Sequence, residues 1–98
     1  MQDPTYVSFL KLTAEGNKDI KKSRNRFERG KKAVEDAGGK VITAYYIVSR
    51  GEYLIISEFP DEKTRVKTTI ATLQRGNVQY ETLTVLPVDE YFKLTDEA

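Results

Sequence analysis

The chain of 98 residues contains no cysteine and no histidine. The first absence excludes disulfides, thiol nucleophiles and thiolate metal sites. The second removes the commonest general base and the commonest transition-metal ligand. An all-oxygen metal site is what remains, and no EF-hand-like loop is present to build one. Small extracellular domains are often stapled by disulfides, so their lack points to the cytoplasm. No apolar run is long enough to cross a membrane, and the opening Met1-Gln2-Asp3-Pro4 lacks the basic and apolar stretches of a signal peptide. Net charge is only +1, so bulk charge selects neither nucleic acid nor an acidic partner. No motif calls for a cofactor.

What is present fits one small soluble domain spanning residues 1–98, with 39% apolar and 32% charged residues. A chain this short buries little more than ~60% of its unfolded surface, so a thin core is expected. Thr5 to Leu12 is rich in strand formers. From Lys18 to Ala37 the period becomes helical: Ile20, Phe27, Val34 and Ala37 fall near one face, with Arg24 and Gly30 on the same stripe. Asn17 is the candidate N-cap, and Gly38-Gly39 ends the helix. Lys40 to Ser49 and Glu52 to Phe59 form a hairpin about Arg50-Gly51. Pro60 closes the second of these strands, and Asp61 caps another helix with Val66, Ile70 and Leu73 as its apolar stripe, extended by Thr69. Gly76 ends that helix, Val78 to Leu86 is the last strand, and Val88 to Leu94 makes a short final turn or helix.

The order β-α-β-β-α-β is the ferredoxin-like, split-βαβ arrangement: an α+β fold with a four-stranded antiparallel sheet and two helices on one face. A sheet face open to water should alternate cleanly between apolar and polar residues. These strands do not. Strand two sets Val41, Thr43, Tyr45 and Ile47 against Ile42, Ala44, Tyr46 and Val48; strand three sets Tyr53, Ile55, Ser57 and Phe59 against Leu54, Ile56 and Glu58. Both faces are largely apolar, which predicts a homodimer, or a larger assembly, packed sheet to sheet. The competing arrangement is a monomer whose Tyr91, Phe92 and Leu94 fold back over the open face.

The segments Gly51-Glu52-Tyr53-Leu54, Glu58-Phe59-Pro60-Asp61 and Gly76-Asn77-Val78-Gln79-Tyr80-Glu81-Thr82-Leu83 resemble the GYD domain family. Thr5-Tyr6-Val7, Gly38-Gly39-Lys40-Val41 before Tyr45-Tyr46, and Glu90-Tyr91-Phe92 extend the likeness over nearly the whole chain. Each motif is weak alone; their order and spacing carry the resemblance. It implies a dimeric α/β-barrel type of fold and self-association, and carries over no established activity. Relatives in the wider superfamily include cofactor-free monooxygenases and haem-degrading enzymes, an analogy of fold alone. The missing histidine argues against haem chemistry. The family is named for glycine, tyrosine and aspartate, and Leu54 stands here in the aspartate's place.

Four side chains are candidates for binding a small organic ligand: Arg24, the predicted buried cation, and Tyr45, Tyr46 and Tyr53 on neighbouring strands. Tyr80 belongs to the same set of strand tyrosines, which serve equally well as core and interface residues. Glu58 and Glu81 lie inside strands, where a desolvated carboxylate acts as acid or base, or pairs with Lys11 or Arg50. Neither is assigned a catalytic role, because the expected sheet order keeps their strands apart. Residues 18–32 carry eight basic side chains against Asp19 and Glu28, while residues 81–97 carry five acidic ones and Lys93. This basic helix is a candidate for docking phosphates, but no aromatic residue is interleaved on its outer face, so nucleic acid is a disfavoured partner. The reading that results is a non-catalytic, dimeric domain with a small-ligand site. The alternatives are a cofactor-independent oxygenase or isomerase with a Tyr/Arg-lined cleft, and an anion or nucleic-acid binder using the first helix.

Overall fold

A computed structural model of the protein describes residues 4–18, 20–74, 76 and 78–98. Residues 1–3, Arg75, Asp19 of the basic segment and Asn77 of the third family-like segment lie outside the described residues.

Four strands pair antiparallel in the order β2-β3-β1-β4: β1 (Thr5–Leu12), β2 (Lys40–Ile47), β3 (Glu52–Glu58) and β4 (Val78–Val85). The helices are α1 (Ala14–Asn17), α2 (Ser23–Asp36), α3 (Glu62–Leu73) and α4 (Val88–Glu97). The order β-α-β-β-α-β with a terminal helix follows the split-βαβ pattern, with β1 central between β3 and β4. The strand ends fall within two residues of their predicted positions. The predicted first helix does not start at Lys18. A turn of α1 comes first, in which the Asn17 N–H bonds the Thr13 carbonyl at 2.9 Å, and a 3₁₀ turn over Ile20–Lys22 separates it from α2. Asn17 therefore ends a helical turn instead of capping one. The hairpin turn is also longer than a two-residue connection. Arg50 and Gly51 N–H groups both bond the Ile47 carbonyl, and Gly51 takes the left-handed φ of 66° that closes it.

Register separates the two sheet faces. Ser8 and Tyr6 on β1 share the helix-facing side with Ser57 and Tyr53 on β3 and with Thr82 on β4. A bulge between Val41 and Thr43 shifts the alternation of β2, so Val41 joins the helix side and not the side of Tyr45. Only Tyr6 and Phe59 are buried among the described apolar residues, their rings edge to face at 5.9 Å; Ser8, Glu52 and Ser57 are the buried polar ones. No residue of α2, α3 or α4 is fully buried.

α3 inverts the predicted arrangement. Its cap is as expected: the Asp61 carboxylate accepts from the Thr64 N–H at 2.7 Å. But Val66, Ile70 and Leu73 are exposed, while Arg65, Thr68, Thr69 and Thr72 are half-buried toward the sheet. Each of these threonines donates its hydroxyl to the carbonyl four residues earlier, so a polar stripe can face the sheet with its donors satisfied.

The opposite sheet face carries Val7, Phe9, Leu54, Ile56, Leu83 and Val85. α4 does not fold back across it: Tyr91, Phe92 and Leu94 are each more than half exposed. The consequence is measurable. The accessible surface is 7167 Å², against roughly 5,700 Å² for a folded monomer of this mass. The radius of gyration is 14.8 Å, against about 12.6 Å for a compact chain of this length.

Candidate functional site

Arg24, Tyr45, Tyr46 and Tyr53 line one groove of about 320 Å³ at the free edge of β2. Tyr53 is the inner wall. Its ring stacks on Phe27 at 6.2 Å and meets Tyr46 edge to face at 5.2 Å. Tyr46 and Tyr53 are cross-strand partners on the helix side, and Tyr45 pairs with Leu54 on the other side, so the groove wraps the sheet edge. Arg24 is exposed and not the buried cation expected. The reason is phase. Ser23, Phe27, Gly30, Val34 and Ala37 form the inner stripe of α2, and Arg24 stands one residue off it. A polar, aromatic groove with a guanidinium at its mouth can orient a small organic molecule by stacking and by hydrogen bonds to phenol and guanidinium groups. Tyr80 lies elsewhere, in the chamber under the helices.

The buried guanidinium belongs to Arg65. Its side chain is 18% exposed and pairs through Nη2 with Glu62 Oε1. Its carbon lies 5.3 Å from the centre of the Tyr6 ring. Tyr6, 1% exposed, donates its hydroxyl to Glu62 Oε2 at 2.9 Å. Burial first, then the Glu62 carboxylate, push the Tyr6 phenol above its ordinary value. The hydrogen bonds from Arg65 and then from Tyr6 hold Glu62 below its own. This network borders a cavity of about 80 Å³ lined by Ser8, Ser57, Gly30 and the α3 threonines, with Phe27 and Ile55 as apolar wall. In the sequence, Arg65 is masked by the competing apolar stripe of Val66, Ile70 and Leu73. The spacing 65, 68, 69, 72 is an equally regular polar stripe, and it was the available signal.

Glu58 and Glu81 both lie on the outer face, on strands separated by β1, so no carboxylate pair forms there. Arg50 contacts Glu52 instead, at 2.7 Å and without hydrogen-bond alignment, and its guanidinium sits 5.5 Å from the centre of the Phe9 ring. The basic residues of α2 other than Arg26 are exposed to solvent. No cluster of His, Cys, Asp or Glu suited to a metal occurs among the described residues, and none of their helices is long and apolar enough to cross a membrane.

One curated relative, from Thermus thermophilus, is 26% identical over 86 residues, covering 87% of this chain and 90% of the relative. It is named "Glutamine synthetase and cystathionine beta-lyase binding protein". No solved structure matches significantly. The family model of the GYD domain matches residues 6–94, from the central strand into the terminal helix, and the chain belongs to the GYD domain family.

Proposed function

We propose that the protein is a non-catalytic binding domain that works as a sheet-to-sheet homodimer of the dimeric α/β-barrel type, with a small-ligand site in the groove of Arg24, Tyr45, Tyr46 and Tyr53. The observation that carries this reading is the apolar outer face of the sheet. The accessible surface of 7167 Å² exceeds that of a compact monomer by roughly 1,500 Å². A standard interface takes about 800 Å² from each partner; the surplus, which this face shares with exposed apolar residues of α3 and α4, leaves room for one. Val7, Phe9, Leu54 and Ile56 supply an apolar centre; Glu58, at a strand end, and Glu81, on an edge strand, supply a polar margin. The name of the Thermus thermophilus relative supports the binding part and extends it to a partner enzyme.

Size-exclusion chromatography with light scattering tests the assembly. The expected mass is about twice the 11.2 kDa of the chain. Phe9→Asp combined with Ile56→Asp should halve it while the far-ultraviolet circular dichroism is kept. A wild-type protein that runs at the single-chain mass over a wide concentration range refutes the packing.

A further inference from the structure

The chamber between α2, α3 and the sheet holds two features that the fold itself leaves unexplained. One is Arg65 Nε, which is buried and has no hydrogen-bond partner among the described residues. The rest of that guanidinium is fixed by Glu62 and by the Tyr6 ring. The other is Gly30, in the interior of α2, where glycine weakens a helix relative to alanine. Its φ is not positive, and a Cβ built on it meets nothing within 4 Å. Neither backbone conformation nor crowding within the chain requires a glycine there. Both residues line the same cavity of about 80 Å³. That cavity shares Phe27 with the tyrosine groove and none of the four ligand candidates.

We infer that this cavity is a second binding site, for a small neutral molecule that pairs a carbonyl oxygen with an N–H donor, the carboxamide class. Arg65 Nε–H offers an unpaired buried donor for the carbonyl oxygen, with the hydroxyl of the buried Ser57 in the same lining. Thr68, Thr69 and Thr72 have already given their hydroxyl protons to the helix backbone, so their oxygens can only accept. They suit an N–H. A carboxylate in the same place sets its oxygens against those lone pairs, beside a guanidinium that Glu62 already neutralises; the other cation of the lining, Lys31, is exposed to solvent. The volume is roughly half of the ~150 Å³ apolar cavity that accommodates benzene, so the buried part of the ligand is about three non-hydrogen atoms, the carbon, oxygen and nitrogen of the carboxamide itself. Gly30 keeps the space that the ligand fills.

The test is a titration of the ¹⁵N-labelled full-length protein with acetamide and, separately, with acetate, read by NMR at the Arg65 Nε–Hε resonance, which Arg65→Lys assigns by its disappearance. Acetamide should move that resonance saturably, and acetate should move it more weakly. Gly30→Val, which occupies the space, should abolish the response. Gly30→Ala should raise the melting temperature by roughly 4–8 °C and weaken acetamide binding. Three results overturn the assignment: no saturable shift with acetamide, as for a cavity that holds water alone; tighter binding of acetate; or an undiminished acetamide response in Gly30→Val.

Discussion

The hydroxyl of Tyr6, in the central strand, donates to Glu62 Oε2 in the first turn of α3 at 2.9 Å. Tyr6 is the most enclosed side chain among the described residues, and its ring also meets Phe59 and the Arg65 guanidinium. In a core this thin, that single residue ties the sheet to a helix. Tyr6→Ala should therefore cost about 3–5 kcal/mol, a large share of a small domain's stability. Tyr6→Phe keeps the ring and should cost far less. Urea unfolding of the two variants measures the difference, and equal losses would refute the packing role of the ring.

The acid limb of stability follows from two carboxylates. The Thr64 backbone N–H holds Asp61 below its ordinary 3.8, and Arg65 and Tyr6 hold Glu62 below its ordinary 4.5. Both fold with lowered values, so their stabilisation is complete above the unfolded values and is lost as pH falls through the folded ones. Unfolding midpoints should be flat from neutral pH down to about 5 and should decline below it. Asp61→Asn with Glu62→Gln should flatten that decline, as monitored by thermal melts between pH 2.5 and 7.

Gly39 lies between α2 and β2 where the backbone comes close to the end of β3. A Cβ there would stand 2.5 Å from the Glu58 carbonyl oxygen and 3.0 Å from a Val34 methyl. Gly39→Ala forces backbone or side chain to shift, and overpacking of this kind costs roughly 1–3 kcal/mol. Gly30→Ala, in open space, should have the opposite sign, and the two melting temperatures side by side check the contrast.

Under the proposed ligand site, the tyrosine groove should separate stability from binding. Tyr45 is exposed and makes no ring contact with its neighbours in the groove, so Tyr45→Ala should change stability by less than about 0.5 kcal/mol. Tyr53→Ala removes the Phe27 stack and the Tyr46 edge contact and should cost several times more. If a small aromatic or polar ligand is found by thermal-shift screening, Tyr45→Ala and Arg24→Ala should lower its effect without lowering the ligand-free melting point.

The strands were legible in the sequence because β-branched and aromatic residues stop abruptly at glycine and proline. The Asp61 cap and the Gly51 turn were legible for the same local reason. Helix phase was not. The 3₁₀ turn at Ile20–Lys22 puts Ile20 out of step with α2, and Arg24 sits one position off the inner stripe. In α3 two stripes of equal regularity competed. The polar one faces the sheet because Arg65 finds Glu62 and Tyr6 there, and because the threonines satisfy their own hydroxyls. No local pattern reports such partners, since Tyr6 is 56 residues away from Glu62. The bulge at Val41/Thr43 likewise came from pairing and not from composition. The nearness of Tyr45, Tyr46 and Tyr53 was legible because they lie on adjacent strands of the hairpin.

The central place of β1 sets a timetable. This strand is made first, yet its two partners lie at Glu52–Glu58 and Val78–Val85, and Thr5 pairs with Val85 at the far end of the chain. A ribosome adding ~5–20 residues per second needs roughly 4–15 s between finishing β1 and finishing β4. Through that interval the strand destined for the middle of the sheet has an unpaired edge and apolar side chains on both sides. Unpaired edges and exposed apolar surface make such a partly made chain prone to aggregate until its last strand emerges.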